Sequence, residues 1–218
     1  MKDFLLKNKC YYATFILFTI MGGTLLLLVN RDDINIWINS KWTYFLDDVI
    51  LFINGLGTVS FSVAAVVVLA LWKGWRTALK ATICFASVAL VTQFAKHILF
   101  PATPRPTLHF EEGMLRLIEG VKQLTTESFP SGHTSASFAL STFFALLLPK
   151  KNWHWAFAAL ALFVGYGRIY LSQHFFTDVY TGMIIGVVVT TLVYYYYPKS
   201  WENASKNKKI HRKAKATS

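Results

Sequence analysis

Six stretches of about twenty mostly apolar residues leave this chain few possible folds, because a bilayer core takes about 20 helical residues to cross. They run over roughly 11–29, 49–72, 81–100, 132–148, 155–171 and 179–197 of the 218 residues. Inside hydrocarbon a lipid-facing segment must satisfy its own backbone amides, so such runs fold as helices. The pattern predicts an all-α, polytopic membrane protein, a bundle of six transmembrane helices. The fourth run opens with the polar stretch Ser131 to Ser141, and only Ser172 to Asp178 separates the fifth from the sixth. Lys2, Lys7 and Lys9 precede the first run as they would in a signal peptide. Its apolar core exceeds the usual 7–15 residues and no small-x-small site follows, so it reads as a retained anchor.

Orientation follows from the basic residues, which short cytoplasmic loops hold in excess. With the amino terminus inside, fifteen of the 22 lysines and arginines fall on the inner side, among them Lys73, Arg76, Lys80, Lys150 and Lys151. Arg31, Lys41, Lys96, Arg105, Arg116, Lys122 and Arg168 fall outside. Both termini are therefore expected in the cytoplasm. Trp37, Trp42, Trp72, Trp75, Trp153, Trp155 and Trp201 all lie at or beyond run ends, where interfacial rings belong.

A net charge of +11 would suggest a nucleic-acid partner in a soluble chain. Here the basic residues sit between and after apolar runs and form no basic module with interleaved aromatics, so no nucleic acid is expected. Cys10 and Cys84 are too few and too badly placed for a disulfide framework or a zinc site. Residues 1–197 read as one domain without internal repeats, and 198–218 as a basic, disordered cytoplasmic tail attracted to anionic lipid. The longest connection is the outer loop 101–129, in which Glu112 to Gln123 has the pattern of a short amphipathic helix lying on the membrane surface.

Three short segments gather ionisable groups beside these runs, where unpaired charge is costly and usually functional. In the last, Arg168 precedes His174 and Asp178. The latter two are four apart, so on a helix or its first turns they share a face, and the carboxylate can fix the imidazole tautomer. A plainer reading makes His174 a helix cap and Asp178 a residue drawn to the helix dipole. Arg168 offers a guanidinium fork for phosphate oxygens. The middle segment, Ser128 to Ser135, contains Pro130-Ser131-Gly132-His133. Pro130 suits a first helical position, Gly132 lets the backbone approach a ligand, and helix-start amides attract anions. His133 beside them can act as general acid and then base; the alternative is a simple turn with an interfacial histidine. The first segment holds Lys96, in the last turn of the third run, and Arg105, stiffened between Pro104 and Pro106. Lys96 taken alone is as readily a snorkelling anchor. Three cations around one phosphoryl group neutralise its oxygens, and no metal or other cofactor is then needed.

Together the segments resemble the signature of the type 2 phosphatidic acid phosphatase (PAP2) family: K-x6-RP, PSGH and SR-x5-H-x3-D. The likeness spans 96 to 178, and the six-run layout also fits that family's membrane bundle. It implies that His174 is the nucleophile, that Asp178 orients it and that His133 is acid then base. It implies further that Lys96, Arg105, Arg168, Ser131 and Gly132 hold the phosphate. Two departures stand out: eight residues separate Lys96 from Arg105, and Gly167 occupies the position of the family serine.

The resemblance implies a metal-independent lipid phosphatase in a bacterial cytoplasmic (inner) membrane. Its site would face the periplasm or exterior, and its substrate would be a membrane lipid phosphate such as phosphatidic acid, phosphatidylglycerol phosphate, undecaprenyl diphosphate or lipid A. One alternative passes the phosphoryl group to another lipid or a sugar. A transport or scaffold role would instead spread the charges along a path through the bilayer, whereas here they cluster at one face.

Overall fold

All regular structure among the described residues, 1–148 and 153–197, is helical in the computed structural model. The predicted tail from 198 and the inner lysines Lys150 and Lys151 lie outside the described residues. In chain order the helices are α1 (Lys2–Lys7), α2 (Lys9–Leu28), α3 (Arg31–Asn39), α4 (Tyr44–Asn54), α5 (Val59–Lys73) and α6 (Trp75–Phe94). They continue with α7 (Pro106–His109), α8 (Gly132–Leu147), α9 (His154–Tyr170) and α10 (Phe176–Tyr196). Short polar residues start several of them: Asn30, Thr43 and Thr58 each accept a first-turn amide, at 2.9, 3.1 and 3.2 Å.

Among the described residues three helices, Lys9–Leu28, Trp75–Leu99 and Phe176–Tyr196, are long and apolar enough to cross a membrane. A fourth candidate is the pair Tyr44–Gly57 and Val59–Lys73, which the sequence joined as one run and the structure bends by 61°. The bend is a 3₁₀ turn at Gly55–Gly57, where Thr58 caps the next helix. The helices α8 and α9, 16 and 17 residues long, are shorter than those three.

At the centre lies α8, packed against α6, α9 and α10. Many of its buried residues are small or hydroxylated, among them Ser135, Ser137, Ala139, Ser141, Thr142 and Ala145. Opposite them, α10 presents Gly182 and Gly186, one turn apart. A Cβ on Gly182 would meet Ser131 O at 2.7 Å, and one on Gly186 would meet Ser135 O at 2.6 Å. Small residues at this spacing let two backbones touch, which is how helices associate where no hydrophobic force draws them together. The contact fixes the start of α8 beside the start of α10, and Ser131 N donates to Asp178 O at 3.0 Å. At the other end of α8, Tyr11 Oη hydrogen-bonds Thr142 Oγ1 at 2.8 Å and so ties in α2.

The predicted helix over 112–123 does not form. Gly113 and Gly120 turn the chain with φ of 88° and 79°, and the segment between them folds down onto the bundle. Arg116 anchors it: Nη1 and Nη2 donate to the two carboxylate oxygens of Asp47 at 3.0 and 2.6 Å, and Cζ lies 4.1 Å from the centre of the Trp42 ring. The Asn39 side chain brackets the same residue, accepting from Arg116 N at 2.8 Å and donating to Arg116 O at 2.9 Å. Such hydrogen bonds can be made only by a backbone that has left the helix, which explains the outcome. Pro130 likewise precedes the cap Ser131 of α8, so it is not the first helical residue.

Candidate active site

The end of the bundle that carries this loop also carries the C-terminal ends of α4, α6 and α9 and the N-terminal ends of α8 and α10. All three sequence segments meet there. Two irregularities absorb the long spacing from Lys96 to Arg105. The last turn of the third run is a π-helix, Ala95–Leu99, and Ala102 adopts φ 56° in the turn that follows. A π turn holds one residue more than an α turn, and such turns are common at functional sites. The result is convergence: Lys96 Nζ and Arg105 Nη2 both donate to the carbonyl oxygen of Glu127. Arg105 is further held by the carbonyls of Thr126 (Nε, 2.8 Å) and Gln173 (Nη1, 2.7 Å). Both cations are buried, and the neutral carbonyls that accept from them leave their charge uncancelled.

Arg105 Nη1 also stands 3.3 Å from His174 Nε2. A guanidinium only donates, so Nε2 is the accepting nitrogen and the ring proton sits on Nδ1. Nδ1 lies 3.4 Å from Asp178 Oδ2, an ion-pair distance short of hydrogen-bond geometry, and has no other partner among the described residues. The sequence placed His174 and Asp178 on one helical face; in the structure His174 precedes α10 and Asp178 lies in its first turn. Asp178 Oδ2 is itself oriented by Phe175 N at 3.0 Å and by the Ser128 hydroxyl. The turn that carries His174 closes on Arg168, whose carbonyl accepts from Gln173 N and His174 N at 3.0 and 3.2 Å. This fixes the spacing between Arg168 and His174.

Burial pushes the His174 imidazole down from 6.5 to about 3, against the opposing pull of Asp178. At neutral pH the ring is therefore uncharged and Nε2 keeps its lone pair. The unfolded chain gains a proton below about 6.5 that the folded chain refuses until about 3, so acidification through that window favours unfolding. The melting temperature in detergent is expected to drop more between pH 7 and 4 for the wild type than for His174→Asn. Equal drops would show that this ring does not carry the dependence.

Arg168, buried at the end of α9, donates from Nη1 to Asn54 Oδ1 at 3.0 Å. His133 lies within electrostatic reach of Arg168, Arg105 and Lys96. Its backbone rests on the turn after α4. Gly132 faces open space, with nothing within 4 Å of where a Cβ would stand, whereas Ser131 Oγ is engaged by the Thr134 hydroxyl at 2.9 Å. From His133 and Gly132 a groove of about 640 Å³ runs between α5, α6 and α8, lined by Val63, Val66, Phe85 and Ala89. Sequence reasoning assigned no part to Ser128, Gln173, Asn54 or the carbonyl of Glu127. Of these only Asn54 left a signal, as a lone amide within an apolar run.

The model of the PAP2 superfamily matches residues 77–202 of this chain. This chain belongs to the PAP2 superfamily. Among curated PAP2-like relatives, the lipid A 4'-phosphatase of Porphyromonas gingivalis is 36% identical over 35% of this chain and 34% of its own length. The undecaprenyl-diphosphatase BcrC of Bacillus subtilis is 23% identical over 68% of this chain and 74% of its own. The chain thus spans about a third of the first relative and about three quarters of the second. The crystal structure of Aquifex aeolicus LpxE superposes with a TM-score of 0.67 at 22% identity, covering 75% of this chain and 94% of that one. PAP2 membership and apolar helices of spanning length make this an integral membrane protein.

Proposed function

We propose that the chain is a metal-independent lipid phosphatase working through a phosphohistidine on His174. The observation that carries this reading is the convergence at His174: an unprotonated Nε2 beside Arg105, a carboxylate behind Nδ1, and Arg168 close by. Nε2 attacks phosphorus as the bond from phosphorus to the leaving oxygen breaks, and His133 gives that oxygen its proton. Water then attacks the phosphorus of the P–N bond while His133 takes a proton back, releasing inorganic phosphate and restoring His174. Lys96, Arg105 and Arg168, with the exposed backbone at Gly132, neutralise the charge on the phosphoryl oxygens. Their number supplies what a divalent ion supplies in other phosphoryl-transfer sites.

The groove beside His133 suits an acyl or prenyl chain, so the substrate is a lipid whose phosphate sits at the interface and whose tail lies between helices. In this reading residues 1–197 cross the membrane six times, with α8 and α9 as short spans and both termini in the cytoplasm. Residues 198–218 form a cytoplasmic tail, and the site faces the exterior of a bacterial cytoplasmic membrane. Lipid A and undecaprenyl diphosphate are the substrate types that the relatives suggest, and phosphatidylglycerol phosphate shares their chemistry. A panel of these lipids and phosphatidic acid in detergent micelles, assayed for phosphate release, tests the assignment. Release is expected from at least one lipid in excess EDTA, with inhibition by vanadate and little turnover of water-soluble phosphates. Loss of activity in EDTA, restored by a divalent ion, would replace this mechanism with a metal-dependent one.

A further inference from the structure

The position before Arg168 is glycine for a reason visible in the packing. A Cβ on Gly167 would meet Asn54 Nδ2 at 2.6 Å and Ile50 Cγ2 at 3.2 Å, so a serine there would collide with the Asn54 amide. Asn54 is the last residue of α4 and is buried. Its Nδ2 donates to Ile50 O at 3.0 Å, which fixes the amide plane and turns Oδ1 to Arg168 Nη1 at 3.0 Å. Arg168 Nε is buried without a partner among the described residues. The same break in the second run brings Gly57 against His133, where a Cβ would stand 2.8 Å from His133 O. The sequence treated this stretch as the interior of a span; the structure makes it a wall of the site.

We infer that Asn54 is a positioning residue for Arg168, and that Gly167 is the space its amide requires. An amide oxygen holds a guanidinium in place while leaving its positive charge for an anion. A carboxylate at the same position would compete with the phosphate for that charge. The inference rests on Arg168 being a phosphate ligand, as proposed above.

The test uses the full chain in detergent, with lipid turnover and vanadate affinity as separate readouts. Asn54→Ala is expected to lower kcat/KM and vanadate affinity together, each by about 10- to 100-fold. Asn54→Asp is expected to weaken vanadate at least as much, despite being nearly isosteric. Gly167→Ser alone is expected to be as damaging as Asn54→Ala, and Asn54→Ala with Gly167→Ser more active than Gly167→Ser alone, since the smaller residue vacates the contested space. Vanadate affinity is a property of the folded fraction, so it remains decisive if a variant folds poorly. Unchanged vanadate affinity in Asn54→Ala, or losses that simply multiply in the double variant, would overturn the inference. If the wild type binds vanadate but hydrolyses no lipid phosphate, the lipid phosphatase reading fails while the affinities still decide the role of Asn54. A wild type that binds no vanadate overturns both.

Discussion

His174→Ala abolishes turnover: phosphate release from the lipid that the wild type hydrolyses is expected to fall by at least about 10³-fold. The expectation follows from how few atoms at the site are able to attack phosphorus. Lys96 and Arg105 have N–H groups committed to carbonyl oxygens, and the Asp178 carboxylate is occupied by Phe175 N and the Ser128 hydroxyl. Nε2 of His174 is unprotonated, its lone pair held only by the weak contact with Arg105 Nη1 at 3.3 Å, and removing it leaves only direct attack by water. Rapid quenching with labelled substrate should trap a base-stable, acid-labile phosphoenzyme in the wild type and none in the variant. Turnover by His174→Ala near the wild-type level would refute the nucleophile assignment.

The second large effect is at His133, where His133→Ala is expected to slow hydrolysis of an alkyl phosphate by about 10²–10⁴-fold. In the proposed mechanism this ring has a different task from His174, since it gives the departing alkoxide a proton. The loss should therefore depend on the leaving group. With a phenolic ester that departs readily as its anion, the acid step matters less, and the variant should approach the wild type in the rate of the first half-reaction. A deficit of the same size for both leaving groups would mean that His133 holds the phosphate in place and does not protonate the leaving oxygen.

Much of this arrangement was legible from residue types and spacing, because membrane helices advertise themselves by length and because cations beside apolar runs need a reason. The joint occurrence of Arg168, His174 and Asp178 pointed to the stretch 96–178, whose charged groups the fold brings to one end of the bundle. The spacing of Lys96 and Arg105 was harder to interpret, since neither the π turn at Ala95–Leu99 nor the left-handed Ala102 has a strong local signature. What sequence could not supply is the contribution of the backbone. Carbonyls of Thr126, Glu127 and Gln173 orient Arg105, and any residue type carries a carbonyl. The outer loop misled for a related reason. Its apolar periodicity between Met114 and Val121 is that of a helix, but Asn39, Trp42 and Asp47, distant in sequence, compete for Arg116 and win.

That competition has a practical outcome for exchanging parts between relatives. The middle of the loop, around Arg116, owes its shape to three residues that lie outside it, on the earlier helix pair α3 and α4 and the link joining them. Transplanting 101–129 alone into another scaffold would leave Arg116 without the partners that hold it down. A chimera meant to alter headgroup preference has to carry Asn39, Trp42 and Asp47 with the loop, so the smallest transferable module is discontinuous in sequence.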